Sequence, residues 1–381
     1  MPLEDGPAAA SKRRSGLRAK GLGRCVPVLF VVGLLSLLGG ACDGSGKVAT
    51  SPDPETTAAF LEETTGARRT GPVGPAVPGE RAELVFVEDA VADEVIVLTR
   101  TGEVVERIRV GREPHDIALS PDGSYIATGN FGDGTVSIVS VESLSLERTI
   151  ATGRGTHGVA FGPDGRYLFA TNAKEDTLSV IEAETFSPKA KIRVGDFPEY
   201  VGVTGDGSTV FTTNLGGEGS VTLLSNRGPD SRVTREFSLG VDPHGWDVSP
   251  DGTRIAIANL GSDSVYLLDA ATFAQTARFD TGATREFVPF MTEDAAFLTD
   301  DEVWVTNIGT DYVSILDLAK NRTAGRIAVG PTPHGVAFSR DRSLAFVSLY
   351  EPGELVIVDV AKEAVIERVR VGEELHNVAT T

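Results

Sequence analysis

Residues 154–195 read RGTHGVAFGPDGRYLFATNAKEDTLSVIEAETFSPKAKIRVG. The stretch divides into four short runs: Val159-Ala160-Phe161, Tyr167 to Asn172, Asp176 to Ile181, and Ala190 to Val194. Turn residues separate them, the clearest being Gly162-Pro163-Asp164-Gly165. Asp-Gly turns between period-two runs, with no helical spacing, predict β-hairpins. One unit is therefore four short antiparallel strands, the pattern of a propeller blade.

The unit recurs along the chain. All five histidines, His115, His157, His244, His334 and His376, fall in one slot ahead of the first run. Examples are Pro114-His115-Asp116, Thr156-His157-Gly158 and Pro333-His334-Gly335. Glu199 and Glu286 are assigned to the slot in two further units, which makes the steps 42, 42, 45, 42, 48 and 42 residues. A period in the low forties signals a repeat architecture. Full units cover about 112–153, 154–195, 196–240, 241–282, 283–330 and 331–372. Residues 81–111 supply only the last three strands of a unit, and residues 373–381 supply only the first. The two fragments complete each other. The predicted fold is all-β: a seven-bladed β-propeller of four-stranded antiparallel blades, closed by the C-terminal strand joining the N-terminal blade. Closure removes open sheet edges. The long unit is read with its extra residues in a loop, from Thr292 to Asp301, on the face opposite the slots.

The runs Phe169-Ala-Thr-Asn172, Trp304-Val-Thr-Asn307 and Val265-Tyr-Leu-Leu-Asp269 resemble the repeats of the YVTN-type β-propeller family over about 300 residues. That resemblance implies a seven-bladed, exported or surface-attached bacterial or archaeal protein. It does not imply one activity, since lactonases, haem d1 domains, amine dehydrogenase subunits and surface-layer binding proteins lie in the same neighbourhood. No unit carries an insertion large enough to cover a macrocycle.

Ahead of the repeats stands a leader. Lys12, Arg13, Arg14, Arg18, Lys20 and Arg24 precede an apolar stretch from Val26 to Leu38, and small residues end it. A basic, apolar and small-residue order describes an export signal. The apolar run is short for a membrane span. Leu38-Gly39-Gly40-Ala41-Cys42 resembles a bacterial lipobox with its leucine one step early, which makes Cys42 the lipidation site. An ordinary cleaved signal and an uncleaved anchor stay open as alternatives. Residues 1–42 are thus a signal peptide with a lipobox-like end, 43–80 a disordered Ser/Thr/Pro/Gly-rich tether, and 81–381 the propeller. The expected location is periplasmic or cell-surface, membrane-attached through the N-terminus alone.

The chain carries −19, and its first 41 residues hold six basic and two acidic side chains, so the remainder carries −23. Such acidity excludes nucleic acid and anionic lipid as expected partners. Both cysteines, Cys25 and Cys42, lie in the leader, so the folded part has no disulfide and no thiolate ligand. No Gly-x-Ser-x-Gly elbow and no phosphate loop occur, and no nucleotide cofactor is expected.

In a propeller the first strand of each blade lines the channel, so the seven slots meet at one mouth. His334, His376, His115 and His157 form one arc, and Glu199, His244 and Glu286 complete the ring. Imidazole and carboxylate suit copper, iron or zinc. Duplication of one structural histidine explains the recurrence equally simply, and both readings stay open. Tyr200, Trp246 and Phe287 could wall a pocket beside the mixed arc, or pack between blades. Two functions are carried forward. One is a monomeric, envelope-anchored module that binds a protein or small molecule on a propeller face. The other is a metal-dependent oxidoreductase or hydrolase built on the ring. Whether the protein is an enzyme is left open.

Overall fold

The computed structural model describes residues 82–281 and 292–381. The leader, Cys42 and the tether lie outside them. Among the described residues, 28 strands, numbered in chain order, form seven four-stranded antiparallel sheets. Blade 1 joins the two ends of the propeller. Its order is β28 (Leu375–Thr380), β1 (Leu84–Asp89), β2 (Glu94–Thr99) and β3 (Val104–Arg109). Blade 2 runs β4 (Pro114–Leu119), β5 (Tyr125–Asn130), β6 (Thr135–Ser140) and β7 (Ser145–Ala151). Blades 3 to 7 repeat that order from their inner strands β8 (Thr156–Phe161), β12 (Pro198–Val203), β16 (Pro243–Val248), β20 (Thr292–Thr299) and β24 (Pro333–Phe338). The fold is the seven-bladed propeller that the repeat predicts, closed by β28 on β1.

The core lies between blades. Ala127, Val136, Ile138 and Ile150 of blade 2 pack on Val159, Leu168, Ala170 and Ile181 of blade 3. The middle strands are buried on both faces, whereas the outermost, such as β7, is exposed along most of its length. This is why the middle runs are near-continuously apolar and the last run is charged. Each fully buried Phe or Ile contributes about 1.5–3 kcal/mol, and Phe86, Phe169, Phe211, Phe297 and Phe346 are all fully buried.

The repeated Ser-Pro-Asp-Gly turns are locked by their own side chains. In the first, Ser120 Oγ donates to Asp122 Oδ1 at 2.6 Å, Asp122 Oδ1 accepts Ser124 N–H at 3.0 Å, and Gly123 takes φ +72°. A second device sets the slot. A hydroxyl on the second strand of one blade donates to the slot carbonyl of the next: Thr171 Oγ1 to Glu199 O at 2.6 Å, and Thr213 Oγ1 to His244 O at 2.9 Å. Thr306 and Ser348 latch His334 and His376 in the same way. Gly129 fills the equivalent position beside His157, because a Cβ there would sit 1.9 Å from His157 O. In blade 1 the position holds Glu88, fully buried and bonded by Thr128 Oγ1. The latch grips the slot backbone, so it makes no demand on the slot side chain.

Blade 6 differs from the sequence expectation. Residues from Thr292 onward form its inner strand β20 rather than a loop on the far face. The additional residues of that unit therefore precede its inner strand.

Candidate functional site on the propeller axis

Around the ring from blade 1 to blade 7, the slots hold His376, His115, His157, Glu199, His244, Glu293 and His334. The blade 6 slot belongs to Glu293, the second residue of β20. Glu286 and Phe287 fall within 282–291, outside the described residues. Five histidines and two glutamates still meet on the axis, and six of the seven are under one-tenth exposed; His115 is the more open one.

The ring is electrostatically divided. His244 sits between both carboxylates, with Nε2 at 2.7 Å from Glu199 Oε2 and Nδ1 at 3.3 Å from Glu293 Oε1. Burial alone would push His244 down, but Glu293's charge and Glu199's hydrogen bond outweigh it and hold the imidazole up at about 10. His334 Nε2 also reaches Glu293 Oε1, at 3.2 Å. Burial raises Glu293 to about 7 against the pull of His244. The other four imidazoles are pushed down, first by burial and then by neighbouring histidines: His115 to about 4, His334 to about 3, and His157 and His376 well below the usual range. One imidazolium and four neutral rings result.

The four neutral rings touch as aromatics. Centroid separations are 4.3 Å for His115–His376, 4.7 Å for His334–His376 and 4.8 Å for His115–His157. Phe131 stacks on His115 at 5.0 Å, and Lys174 lies over Phe131 at 3.9 Å. Among the described residues no three His, Asp or Glu side chains are arranged to hold a metal ion. The donor types suit one, but the rings meet one another tilted or edge-on and form no such cluster. His157 Nδ1 and His334 Nδ1 are nevertheless buried without a hydrogen-bond partner.

The next position along each inner strand carries a second layer. Tyr200, 5% exposed, crosses the channel and its hydroxyl accepts from Asn377 Nδ2 at 3.1 Å. Its ring meets His157 and His244 at 5.1 and 4.7 Å. Asn377 Nδ2 also donates to Asp116 Oδ1 at 2.9 Å. Beyond this plug the channel widens into a cavity of about 400 Å³. Asp116, Asp247 and Asp294 line it together with Tyr200, Trp246 and Asn377. Burial raises Asp116 and Asp247 to about 6, and Asp294 to about 8 with the nearby carboxylates Asp247 and Asp116 adding to it.

Of the residues singled out in the sequence, Tyr200 and Trp246 thus line the cavity. Trp246 also packs edge-on against Phe211 at 4.8 Å. Glu293, Asp294 and Asp247 were not singled out. Spacing carries the signal for the first two: the slot stands 15 residues before the strand-ending asparagine in His115–Asn130, His157–Asn172, Glu199–Asn214 and His244–Asn259. Glu293 stands 14 before Asn307, and Glu286 stands 21 before it. Asp247 is the one charged side chain three residues after a slot, where Ala118, Ala160, Gly202, Ala296, Ala337 and Ala379 otherwise stand.

Fold and site together define a seven-bladed β-propeller with a polar axial site. Solved structures share the fold. Kuenenia stuttgartiensis hydrazine synthase matches with a TM-score of 0.61 at 19% identity, over 69% of this chain and 88% of that one. Dihydro-heme d1 dehydrogenase NirN in complex with DHE matches with a TM-score of 0.59 at 16% identity, over 80% and 77%. A Lactobacillus plantarum protein matches with a TM-score of 0.68 at 14% identity, over 79% and 99%. At these identities the likeness is one of fold alone. No family model and no curated protein matches the chain.

Proposed function

We propose that this protein is an exported, envelope-anchored β-propeller of the YVTN type that acts as a binding module and takes a small ligand on its axis. The observation that carries this reading is the cavity of about 400 Å³, which reaches Tyr200 and Asn377 and is lined by Asp116, Asp247, Asp294 and Arg342 together with apolar side chains from Ala160 to Trp246 in size. Ligand sites are commonly concavities of roughly 300–1,000 Å³ with this mixture. The regular blades support a rigid scaffold. The basic leader, the apolar stretch and Cys42 support export and lipid attachment. The test is mass spectrometry of small molecules released from protein purified from its own compartment. A stoichiometric compound is expected from the native protein and none from Ala160→Phe, which fills the cavity. Identical profiles from the two would remove the reading. Cys42→Ser should move the protein from the membrane to the soluble envelope fraction.

The unpartnered His157 Nδ1 and His334 Nδ1 favour a second reading, copper, iron or zinc at the ring. An oxidoreductase or hydrolase activity would depend on that metal. Neutral imidazoles are the ligating form, but the side chains would have to turn to converge. Metal analysis decides: substoichiometric transition metal in the native protein, unchanged in His115→Ala with His376→Ala, would sink it.

A further inference from the structure

Three carboxyls reach the axial cavity, and none of them is required by the ring. Asp116 Oδ2 accepts Val159 N–H at 2.8 Å, Asp247 Oδ2 accepts Phe297 N–H at 2.7 Å, and Asp294 Oδ2 accepts Val336 N–H at 3.3 Å. Each bond ties one inner strand to the next. The other four junctions manage without a carboxyl: the corresponding pairs are Gly158 with Ala160, Tyr200 with Gly202, Gly335 with Ala337, and Asn377 with Ala379. Propeller closure therefore explains the positions of the three acids only in part.

Their surroundings leave them short of donors. Asp247 Oδ1 takes Val248 N–H at 2.8 Å, and Asp294 Oδ1 takes Ala295 N–H at 2.9 Å. Each of the two keeps unspent lone-pair sites; Asp294, raised to about 8, is neutral near pH 7 until a nearby cation draws it into the carboxylate form. Both are partly accessible, unlike the deeper Asp116. Among the described residues no lysine or arginine is in ion-pair contact with any of the three, although the charge of Arg342, which lines the same cavity, acts on Asp247. Arg342, at the rim, instead donates Nη1 to Phe297 O at 2.8 Å. A separate acceptor lines the same space. Asn377, 7% exposed, spends its amide N–H groups on Asp116 and Tyr200, and its Oδ1 approaches His334 without completing a hydrogen bond. Unspent acceptors on Asp247, Asp294 and Asn377 thus stand in one lining with the Arg342 guanidinium, the Trp246 indole N–H and the Tyr200 hydroxyl.

The walls limit what can supply those donors. Ala118, Ala160, Ala296 and Ala337 are small and apolar, and Trp246 adds aromatic surface, while the Phe338 ring already carries the Arg342 guanidinium at 5.6 Å. A bare metal ion would leave most of about 400 Å³ unfilled, and the acids are not arranged around a point. A ligand with ammonium N–H groups on a short aliphatic body meets both halves of the lining, and aromatic rings also attract such cations.

We infer that the axial cavity takes an organic cation, an aliphatic amine in its simplest form, through Asp247 and Asp294 with Asp116 and Asn377 behind them. This rests on the axial-cavity reading above and adds the chemical class of the ligand. Calorimetric titration with 1,4-diaminobutane, 1,4-butanediol and succinate tests it. The diamine should bind at least tenfold more tightly than the diol or the diacid. Asp247→Asn and Asp294→Asn should each weaken it at least tenfold, and Ala160→Phe should abolish it. The comparison of the three probes needs no variant, so it stands even if a substitution impairs folding. A diol or succinate that binds as well as the diamine, and is lost in Ala160→Phe, overturns the amine class while leaving the cavity as a binding site. No diamine binding at millimolar concentration, or binding unchanged in both folded aspartate variants, also overturns it.

Discussion

His244 Nε2 lies 2.7 Å from Glu199 Oε2, a pair bridging two neighbouring blades with both side chains nearly out of solvent. Removing one member of a buried pair leaves the other charge uncompensated, at a cost of roughly 3–5 kcal/mol. Because Glu293 still faces His244, Glu199→Gln is expected to cost about 3 kcal/mol at pH 7 by denaturant titration. The folded imidazole is held at about 10, so its contribution is complete below about 6.5 and is lost as pH rises through 10. The gap between native and variant protein should accordingly narrow as pH rises towards 10 and level off above it. A gap that stays constant to pH 10.5 would show that the pair is not charged.

The neutral arc has the opposite pH dependence. His334 is pushed down to about 3 by burial first. The unfolded chain takes up a proton below about 6.5 while the folded ring does not, so this stability is present above 6.5 and falls as pH drops towards 3. At about 1.4 kcal/mol per pH unit, the stability difference between native protein and His334→Asn should shrink by about 2 kcal/mol from pH 6.5 to 5. Comparing the two proteins separates this effect from Asp116 and Asp247, which are raised to about 6 and favour the folded state as pH falls. An unchanged difference at the two pH values would refute it.

Gly129→Ala should be among the most damaging single changes. Its Cβ would meet the carbonyl of His157, which is backbone and cannot rotate away. Overpacking of this kind typically costs about 1–3 kcal/mol and sometimes more; about 3 kcal/mol is expected by thermal or denaturant unfolding. Thr213→Ala, which loses only the hydroxyl latch on His244 O, should cost about 1 kcal/mol. Equal losses in the two variants would count against the steric argument.

Deleting residues 375–381 removes β28 and leaves β1 as an open edge. Val85, Phe86 and Val87 are fully buried there, and Val85 and Phe86 pair with Thr380 and Ala379. An unpaired apolar edge promotes association. Light scattering should show aggregation, and the single cooperative unfolding transition should be lost. A truncated protein that stays monomeric with an unchanged melt would contradict the importance of closure.

The propeller was legible because its cues are local and copied. Asp-Gly turns such as Asp164-Gly165 and alternating runs such as Tyr167 to Asn172 each specify a hairpin, and their recurrence specifies the ring. The slot in blade 6 was harder to place. A unit with additional residues gives their number but not their position, and Glu286 restored a step of 42 that the inner strand does not follow. The plug is legible only in three dimensions, since Tyr200 and Asn377 are 177 residues apart and meet across the axis. The charge on His244 was likewise hidden: its sequence neighbours resemble those of His334, and only the flanking blades distinguish the two.

Leu84 N–H bonds Thr381 Oγ1, across 297 residues of chain. Blade 1 therefore cannot be finished until the last residues are available, however early its other three strands have been made. During synthesis the first blade must wait for β28. Until β28 reaches β1 the ring stays open, and the axial site, to which His376 and Asn377 both belong, stays incomplete.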